Sequence, residues 1–414
     1  MIEQREHKIF YGYVVAASAF IIQMVAFGMY VSYSVFFNSF LVEFAWSRAL
    51  ISGAFSVCFF AFGLLGVFAG RLNDRIGPRI VMTACGIFLA LGYALMSQVH
   101  SVWQLYLVYS SVIAIGFSGM DVSTLSTIVR WFDRKRGMMS GVIKVGAGVG
   151  ILVMPLAATS LISSYGWRTA YVIIAGIVLL FVVSASQFLK RDPSQLGLLP
   201  DGDEKKGVEQ SHWEEIGFSL HEAVRTRQFW MLCTMYLLFG FCSQIVLVHA
   251  VPHALDLGTS PTTAASVLSI VGGVSIAGRF ILGSASDKIG NKSAHIICFA
   301  FITAAFLSLS VAEELWALYL FAVLYGFAHG GLWAMISPIV AEMFGLGSHG
   351  AIFGVVFFSC TVGGTAGPVL AGYIFDITGS YQPVFFACVA FSILTILLAL
   401  LLTLTGQPQD PRRY

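Results

Sequence analysis

Charge is scarce in this sequence: only 11% of its 414 residues are Asp, Glu, Lys or Arg, while 57% are hydrophobic. A soluble domain carries about 25% charged residues, so the composition excludes a soluble globular protein. The formal net charge of +2 also excludes the concentrated basic face that a nucleic-acid partner requires.

Paired cysteines are lacking as well. All seven cysteines lie in apolar stretches, and their spacing matches neither metal-ligand pairs nor a secreted disulfide framework. We interpret them as small residues that pack helices. Neither a metal-ligand cluster nor a nucleophile with a neighbouring base is visible, so we expect no metal site, no catalytic site and no enzyme. The glycine-rich stretch 146–150 lies inside an apolar run without a preceding strand, so it does not predict nucleotide binding.

The chain has many long apolar runs, and its mean hydropathy is +0.84. A membrane-spanning helix needs about 20 mostly apolar residues. Twelve such runs predict an all-α membrane protein. The predicted spans are residues 13–39, 49–70, 79–97, 103–128, 138–160, 168–189, 229–254, 263–284, 293–311, 315–340, 349–373 and 382–404. The N-terminus shows no signal-peptide cleavage pattern, so the first run is kept as a helix.

One long polar segment, 190–228, divides the runs six and six. We interpret it as a cytoplasmic linker between an N-terminal half (1–189) and a C-terminal half (229–414). Short cytoplasmic loops collect Lys and Arg. If the N-terminus is placed inside, only Arg48 and Arg168 of the 23 basic residues are outside, while Lys144 and Arg279 lie within spans. The bias therefore predicts that both termini are cytoplasmic.

The two halves share a repeated motif. GRLNDRIGPR at 70–79 follows the second span, and GSASDKIGNK at 283–292 follows the eighth. Two repeated six-helix halves are typical of a secondary transporter, whose substrate site lies where the repeats meet.

GRLNDRIGPR and its echo resemble the cytoplasmic loop signature of the major facilitator superfamily. In that family the aspartate and the basic residues of this loop help to hold the inward gate closed. The resemblance therefore implies a cytoplasmic gate formed by four residues of this chain: Asp74, Arg75, Asp287 and Lys288.

Four further segments resemble the monocarboxylate and oxalate/formate branch of the superfamily. They are RWFDRKRG at 130–137, GVIKVGAGVG at 141–150, RTRQFW at 225–230, and Gly278-Arg279 ahead of SDKIG. The resemblance implies a small organic anion as the substrate, with the carboxylate bound by Arg279.

The chain also departs from that branch. The animal monocarboxylate carriers have an acid where this chain has Ser275, and a first-helix lysine where it has Val31. The oxalate/formate exchanger has an eleventh-helix lysine where motif alignment places Cys360, which makes Cys360 a candidate substrate-binding position. These differences leave the identity of the acid and of the proton carrier open.

Three charges fall deep inside predicted spans, where each needs a partner or a water-lined cavity. Arg279 lies about 12 Å above the loop aspartate, given the rise of ~1.5 Å per helical residue. Its planar guanidinium matches a carboxylate in two hydrogen bonds, so we expect it to bind substrate. Asp121 is similarly deep and is a candidate proton carrier; the alternative is a fixed ion pair with Lys144 or Arg279. Lys144 is either a second substrate cation or the partner of Asp121.

Three aromatic side chains are candidate cavity residues. His329 and Trp333 are four apart in the tenth span and so share a helix face. Tyr30 lies well inside the first span. For each of them, the alternative is simple helix packing.

Together these features predict a secondary active transporter of small organic anions, in particular monocarboxylates such as lactate or pyruvate. We expect proton-coupled symport by alternating access, with the proton gradient as energy source and without a cofactor. An organic-anion exchanger and a proton/drug antiporter are the alternatives. The expected partners are the substrate, protons and membrane lipid. The compact loops predict a prokaryotic inner membrane, and we expect the protein to be a monomer.

Overall fold

The computed structural model describes residues 10–46, 48–202, 217–310 and 315–403. These ranges are almost entirely helical and contain no β-sheet. Part of the predicted linker, 203–216, lies outside the described residues, as do six of the basic residues used to predict orientation: Arg5, Lys8, Lys205, Lys206, Arg412 and Arg413.

Eleven continuous helical segments in the described residues are long and apolar enough to cross a membrane. The longest, Arg136–Ser186, is interrupted at Gly166, whose φ of 78° and ψ of 157° are not helical. Glycine adopts such a backbone without a Cβ clash. This break divides the segment into two spans and gives the twelve that the sequence predicts.

The twelve helices begin within a few residues of the predicted spans, and several of them extend further at their C-terminal ends. They are α1 (Tyr11–Phe44), α2 (Arg48–Ile76), α3 (Pro78–Met96), α4 (Val102–Trp131), α5 (136–165), α6 (167–186), α7 (Arg227–Asp256), α8 (Pro261–Ile289), α9 (Asn291–Ser310), α10 (Leu315–Phe344), α11 (His349–Thr378) and α12 (Gln382–Leu401).

Helix is the structure these runs must adopt, because in lipid every backbone N–H and C=O has to be satisfied within the chain. Local signals set the ends. Thr226 caps α7 by accepting a 3.2 Å hydrogen bond from the Phe229 amide. Gly379, with φ of 69°, ends α11 in the left-handed conformation.

The helices form two six-helix halves, α1–α6 and α7–α12, as predicted. The halves meet mainly where α2 packs on α11 and α5 packs on α8. Glycines allow the backbones to approach closely at both contacts. Gly70 faces Gly350 in one contact, while Gly137 faces Gly283 in the other, where a Cβ on Gly283 would lie 2.6 Å from the Gly137 carbonyl oxygen. These two contacts mark one end of the molecule, which we call the gate end.

Candidate functional site

The centre of the molecule holds an ion pair between α4 and α5. Asp121 lies in the first turn of the last helical stretch of α4, Met120–Trp131, which follows Gly119. Its Oδ1 pairs with Nζ of Lys144. Only 4% of Asp121 and 3% of Lys144 is exposed, so the pair sits in a low-dielectric interior where each charge needs the other. Of the two arrangements left open by the sequence, the structure shows the Asp121–Lys144 pair.

Gln23 of α1 contacts the same carboxylate oxygen of Asp121 as Lys144 does. Its Nε2 lies 3.0 Å from Asp121 Oδ1, 3.1 Å from the Met120 carbonyl and 2.8 Å from Thr124 Oγ1. Asp121 Oδ2 has no hydrogen-bond partner within the described residues. Sequence reasoning missed Gln23, although an amide in the middle of the apolar first span was the available signal.

Arg279 reaches the same centre from α8 in the other half. Its Nη1 donates a 2.8 Å hydrogen bond to the backbone carbonyl of Lys144, and only 6% of the residue is exposed. In the part of the chain that the structure describes, Nε of Arg279 has no partner and no carboxylate forms a salt bridge with the guanidinium. The Arg279 charge is therefore not cancelled by a direct ion pair there.

Glycines of α5 make room for this approach. A Cβ at Gly148 would lie 2.7 Å from Nη1 of Arg279, and Gly141 packs directly on the Arg279 carbonyl. The glycine-rich stretch 141–150 therefore positions the arginine of one half against the lysine of the other.

Aromatic rings cover Lys144. Its Nζ lies 4.8 Å from the ring centroid of Phe27 and 5.5 Å from that of Trp333, both within cation–π range. Trp333 Nε1 donates a 2.9 Å hydrogen bond to Nε2 of His329, and Ser243 Oγ is 3.0 Å from the same nitrogen. The structure thus places the Trp333 ring beside Lys144, with His329 hydrogen-bonded to the nitrogen of that ring.

Tyr30 and Cys360 occupy less direct positions. Tyr30 lies in an aromatic cluster, with its ring centroid 4.7 Å from that of Phe55 and 6.4 Å from that of Phe27. It therefore contacts the ring that covers Lys144. Cys360 is buried where α11 packs closely on Gly240 of α7, a position that supports helix packing.

At the gate end, Asp74 joins the two halves. Its carboxylate accepts hydrogen bonds from the Gly350 amide at 3.0 Å and from the Ala351 amide at 2.9 Å. Both amides belong to the first turn of α11, where unsatisfied N–H groups and the helix dipole favour an anion. Arg130 lies 3.3 Å from Asp74 and donates a 2.5 Å hydrogen bond to the Leu346 carbonyl.

Asp287 makes the equivalent contact in the second half. It accepts hydrogen bonds from the Gly137 amide at 2.6 Å and the Met138 amide at 2.8 Å, at the start of α5. Arg75 and Lys288, the basic residues predicted for the gate, are both exposed. The cation beside Asp74 is instead Arg130, which the sequence presented only as the first residue of the RWFDRKRG motif.

A buried histidine adds a third link between the halves. His349 Nδ1 lies 3.1 Å from Ser126 Oγ of α4, and its Nε2 lies 3.1 Å from the Ser337 carbonyl. Ser337 Oγ also donates a 3.2 Å hydrogen bond to the Leu125 carbonyl across the interface. Sequence reasoning missed this link because its members are distant along the chain.

Comparison with known proteins finds relatives that are membrane transporters. A family model described as Major Facilitator Superfamily matches residues 19–294 and 243–413. Monocarboxylate transporter 13 of Rattus norvegicus is 28% identical over 383 residues, which cover 92% of this chain and 86% of the relative. An uncharacterized MFS-type transporter of Escherichia coli, YhjX, is 27% identical over 314 residues, covering 73% of this chain and 75% of its own.

Solved structures show the same fold at low identity. The Escherichia coli fucose:proton symporter FucP superimposes with a TM-score of 0.71 at 15% identity, covering 94% of this chain and 98% of its own. The human organic anion transporter MFSD10 gives a TM-score of 0.65 at 17% identity, with coverage of 94% and 97%.

Proposed function

The chain belongs to the major facilitator superfamily and is a multi-pass membrane transporter rather than an enzyme; we propose that it carries small organic anions, in particular monocarboxylates such as lactate or pyruvate, in symport with protons. The observation that carries the proposal is the buried guanidinium of Arg279, which lies between the halves without a carboxylate partner in the described residues.

The charges of the centre favour one carboxylate. Lys144 and Asp121 cancel each other, so the three groups together leave one positive charge on Arg279. A guanidinium binds a carboxylate through two parallel hydrogen bonds. A cationic drug would meet an uncompensated positive charge, so the site disfavours the proton/drug antiporter that the sequence left open.

The ion pair supplies the coupling to protons. Protonation of Asp121 on its unpartnered Oδ2 removes the negative charge beside Lys144, and two cations then face an arriving anion. Proton and anion therefore raise each other's affinity, as linkage requires. One proton and one monocarboxylate leave the net charge of the site unchanged, so the proposed symport is electroneutral.

The gate end supports alternating access between the halves. Asp74 and Asp287 each bind the first turn of a helix from the opposite half, so both contacts must break for this end to open. We propose that this is the cytoplasmic gate, with both chain termini on the same side. We also propose that the chain acts as a monomer in a prokaryotic inner membrane. Its N-terminal half would end at about residue 189, and its C-terminal half would begin at about residue 229.

The test is uptake of labelled lactate, pyruvate, acetate and oxalate into proteoliposomes, with and without an inward proton gradient. Gradient-driven accumulation of a monocarboxylate is the expected result. Uptake only against an internally loaded anion would instead identify the alternative, an organic-anion exchanger of the oxalate/formate kind. Uptake of none of these acids, by protein that is correctly inserted, would overturn the proposed substrate class.

A further inference from the structure

An open groove runs along the outer surface of the first half, between α1 and α6. It offers about 490 Å³ of accessible space. Its walls include Tyr13, Ala17 and Ile21 of α1, Phe181 and Ser184 of α6, and Phe188 just beyond. Several of these side chains are exposed, and in a membrane protein such a surface faces lipid.

The size of the groove matches one leaflet. Tyr13 and Ile21 are eight residues apart, which corresponds to about 12 Å along a helix. Half of a hydrocarbon core that is ~30 Å thick is about 15 Å. The groove therefore accommodates most of one acyl chain lying parallel to the helices.

A positive charge is fixed at the gate end of the groove. The Lys190 backbone carbonyl accepts a 2.8 Å hydrogen bond from Trp131 Nε1. The side-chain Nζ of Lys190 lies 5.4 Å from the ring centroid of Tyr11. The Tyr11 hydroxyl in turn donates a 3.0 Å hydrogen bond to the carbonyl of Phe188, a residue of the groove wall. Among the residues that the structure describes, no carboxylate forms a salt bridge with Lys190.

We propose that this groove binds an anionic glycerophospholipid, with one acyl chain between α1 and α6 and the phosphate at Lys190. Basic residues at the cytoplasmic ends of membrane helices hold lipid headgroups in this way. Because α1 and α6 belong to the same half, the site does not cross the interface between the halves. The lipid therefore stays bound when the gate opens and does not depend on the transported substrate.

Native mass spectrometry of the purified full chain tests the proposal, with phosphatidylglycerol and phosphatidylcholine of identical acyl chains as probes. We expect preferential retention of phosphatidylglycerol, a loss of that preference by about fivefold in Lys190→Gln, and its restoration in Lys190→Arg. Lys135→Gln, which removes an exposed charge from the same end, is the matched control and should bind like the parent protein.

A second variant tests the acyl chain. Ala17→Trp fills the groove without touching Lys190, so retention of both lipids should fall. Equal effects of Lys190→Gln and Lys135→Gln would overturn the proposal, as would unchanged retention in Ala17→Trp. Displacement of the lipid by millimolar inorganic phosphate would also overturn it, because the ligand would then be a free anion.

Discussion

Asp74 and Asp287 occupy equivalent positions in the two repeated motifs, yet their surroundings differ. Both carboxylates accept two backbone hydrogen bonds from the first turn of a helix in the opposite half. The side chain of Asp74 is only 10% exposed and lies beside Arg130, whereas Asp287 is exposed. The repeat has thus kept the backbone contact while the surrounding charges have diverged.

The same asymmetry extends to the centre. The first half contributes Lys144 and Asp121, which neutralise each other. The second half contributes Arg279, which has no carboxylate partner in the described ranges. Repetition therefore supplies a symmetric scaffold and the same backbone contact on both sides of the gate, whereas the charges that give the proposed site its sign and its proton coupling are divided unequally between the halves.

The largest effect should come from Arg279→Lys, which keeps the charge but removes the planar fork. We expect carboxylate uptake to fall by about 100-fold, since hydrogen bonds to charged groups contribute about 1.5–3 kcal/mol each. Labelled uptake into proteoliposomes measures the loss.

The matched control removes charge from the first half instead. The double variant Asp121→Asn/Lys144→Gln deletes the neutral pair and keeps the net charge of the centre, so it should retain anion binding. If the double variant lost binding while Arg279→Lys kept it, the assignment of the anion to the second half would be wrong.

Asp74→Asn should break the more strongly held side of the gate. Hydrogen bonds to a charged group contribute about 1.5–3 kcal/mol, so exchange of the Gly350 and Ala351 amides should accelerate by about 30-fold. Hydrogen–deuterium exchange mass spectrometry reads this directly, with the peptide containing Gly137 and Met138 as the internal reference. Equal protection in the variant and the parent would show that Asp74 does not hold α11.

Asp121→Asn should separate proton coupling from anion binding. Asn imitates the protonated acid, so the anion still binds but no proton is carried. A gradient of one pH unit can drive about tenfold accumulation in a one-to-one symporter, since 1.4 kcal/mol is one factor of ten. That accumulation should disappear while exchange of internal for external substrate continues. Persistent gradient-driven accumulation would assign the proton to another group.

Asp287→Asn should have the smallest effect and thereby test the asymmetry of the gate. The carboxylate is exposed, and an anion at an exposed helix N-terminus contributes about 0.3–1 kcal/mol. Exchange of the Gly137 and Met138 amides should therefore accelerate by no more than about fivefold. An acceleration as large as that at Gly350 in Asp74→Asn would show that Arg130 adds nothing to the gate.

The sequence predicted the scaffold well because its signals are local. Apolar runs gave all twelve spans, and the two loop motifs located Asp74 and Asp287 at the point where the halves meet. The gate roles of Arg75 and Lys288 stay predictions: both residues are exposed, and Arg130 comes to Asp74 from a different helix. Gln23 and His349 were missed because the residues next to them in the sequence do not show which carboxylate or hydroxyl they contact in the fold.

The sequence by itself determined that the chain crosses the membrane as helices, because apolar segments in lipid must satisfy their own backbone hydrogen bonds. It also determined that Asp121, Lys144 and Arg279 lie deep, since depth follows from position along a helix. Only the tertiary structure decided which of them pair. Partners on α4, α5 and α8 meet through the packing of separate helices, and glycines of α5 set how closely Arg279 approaches Lys144.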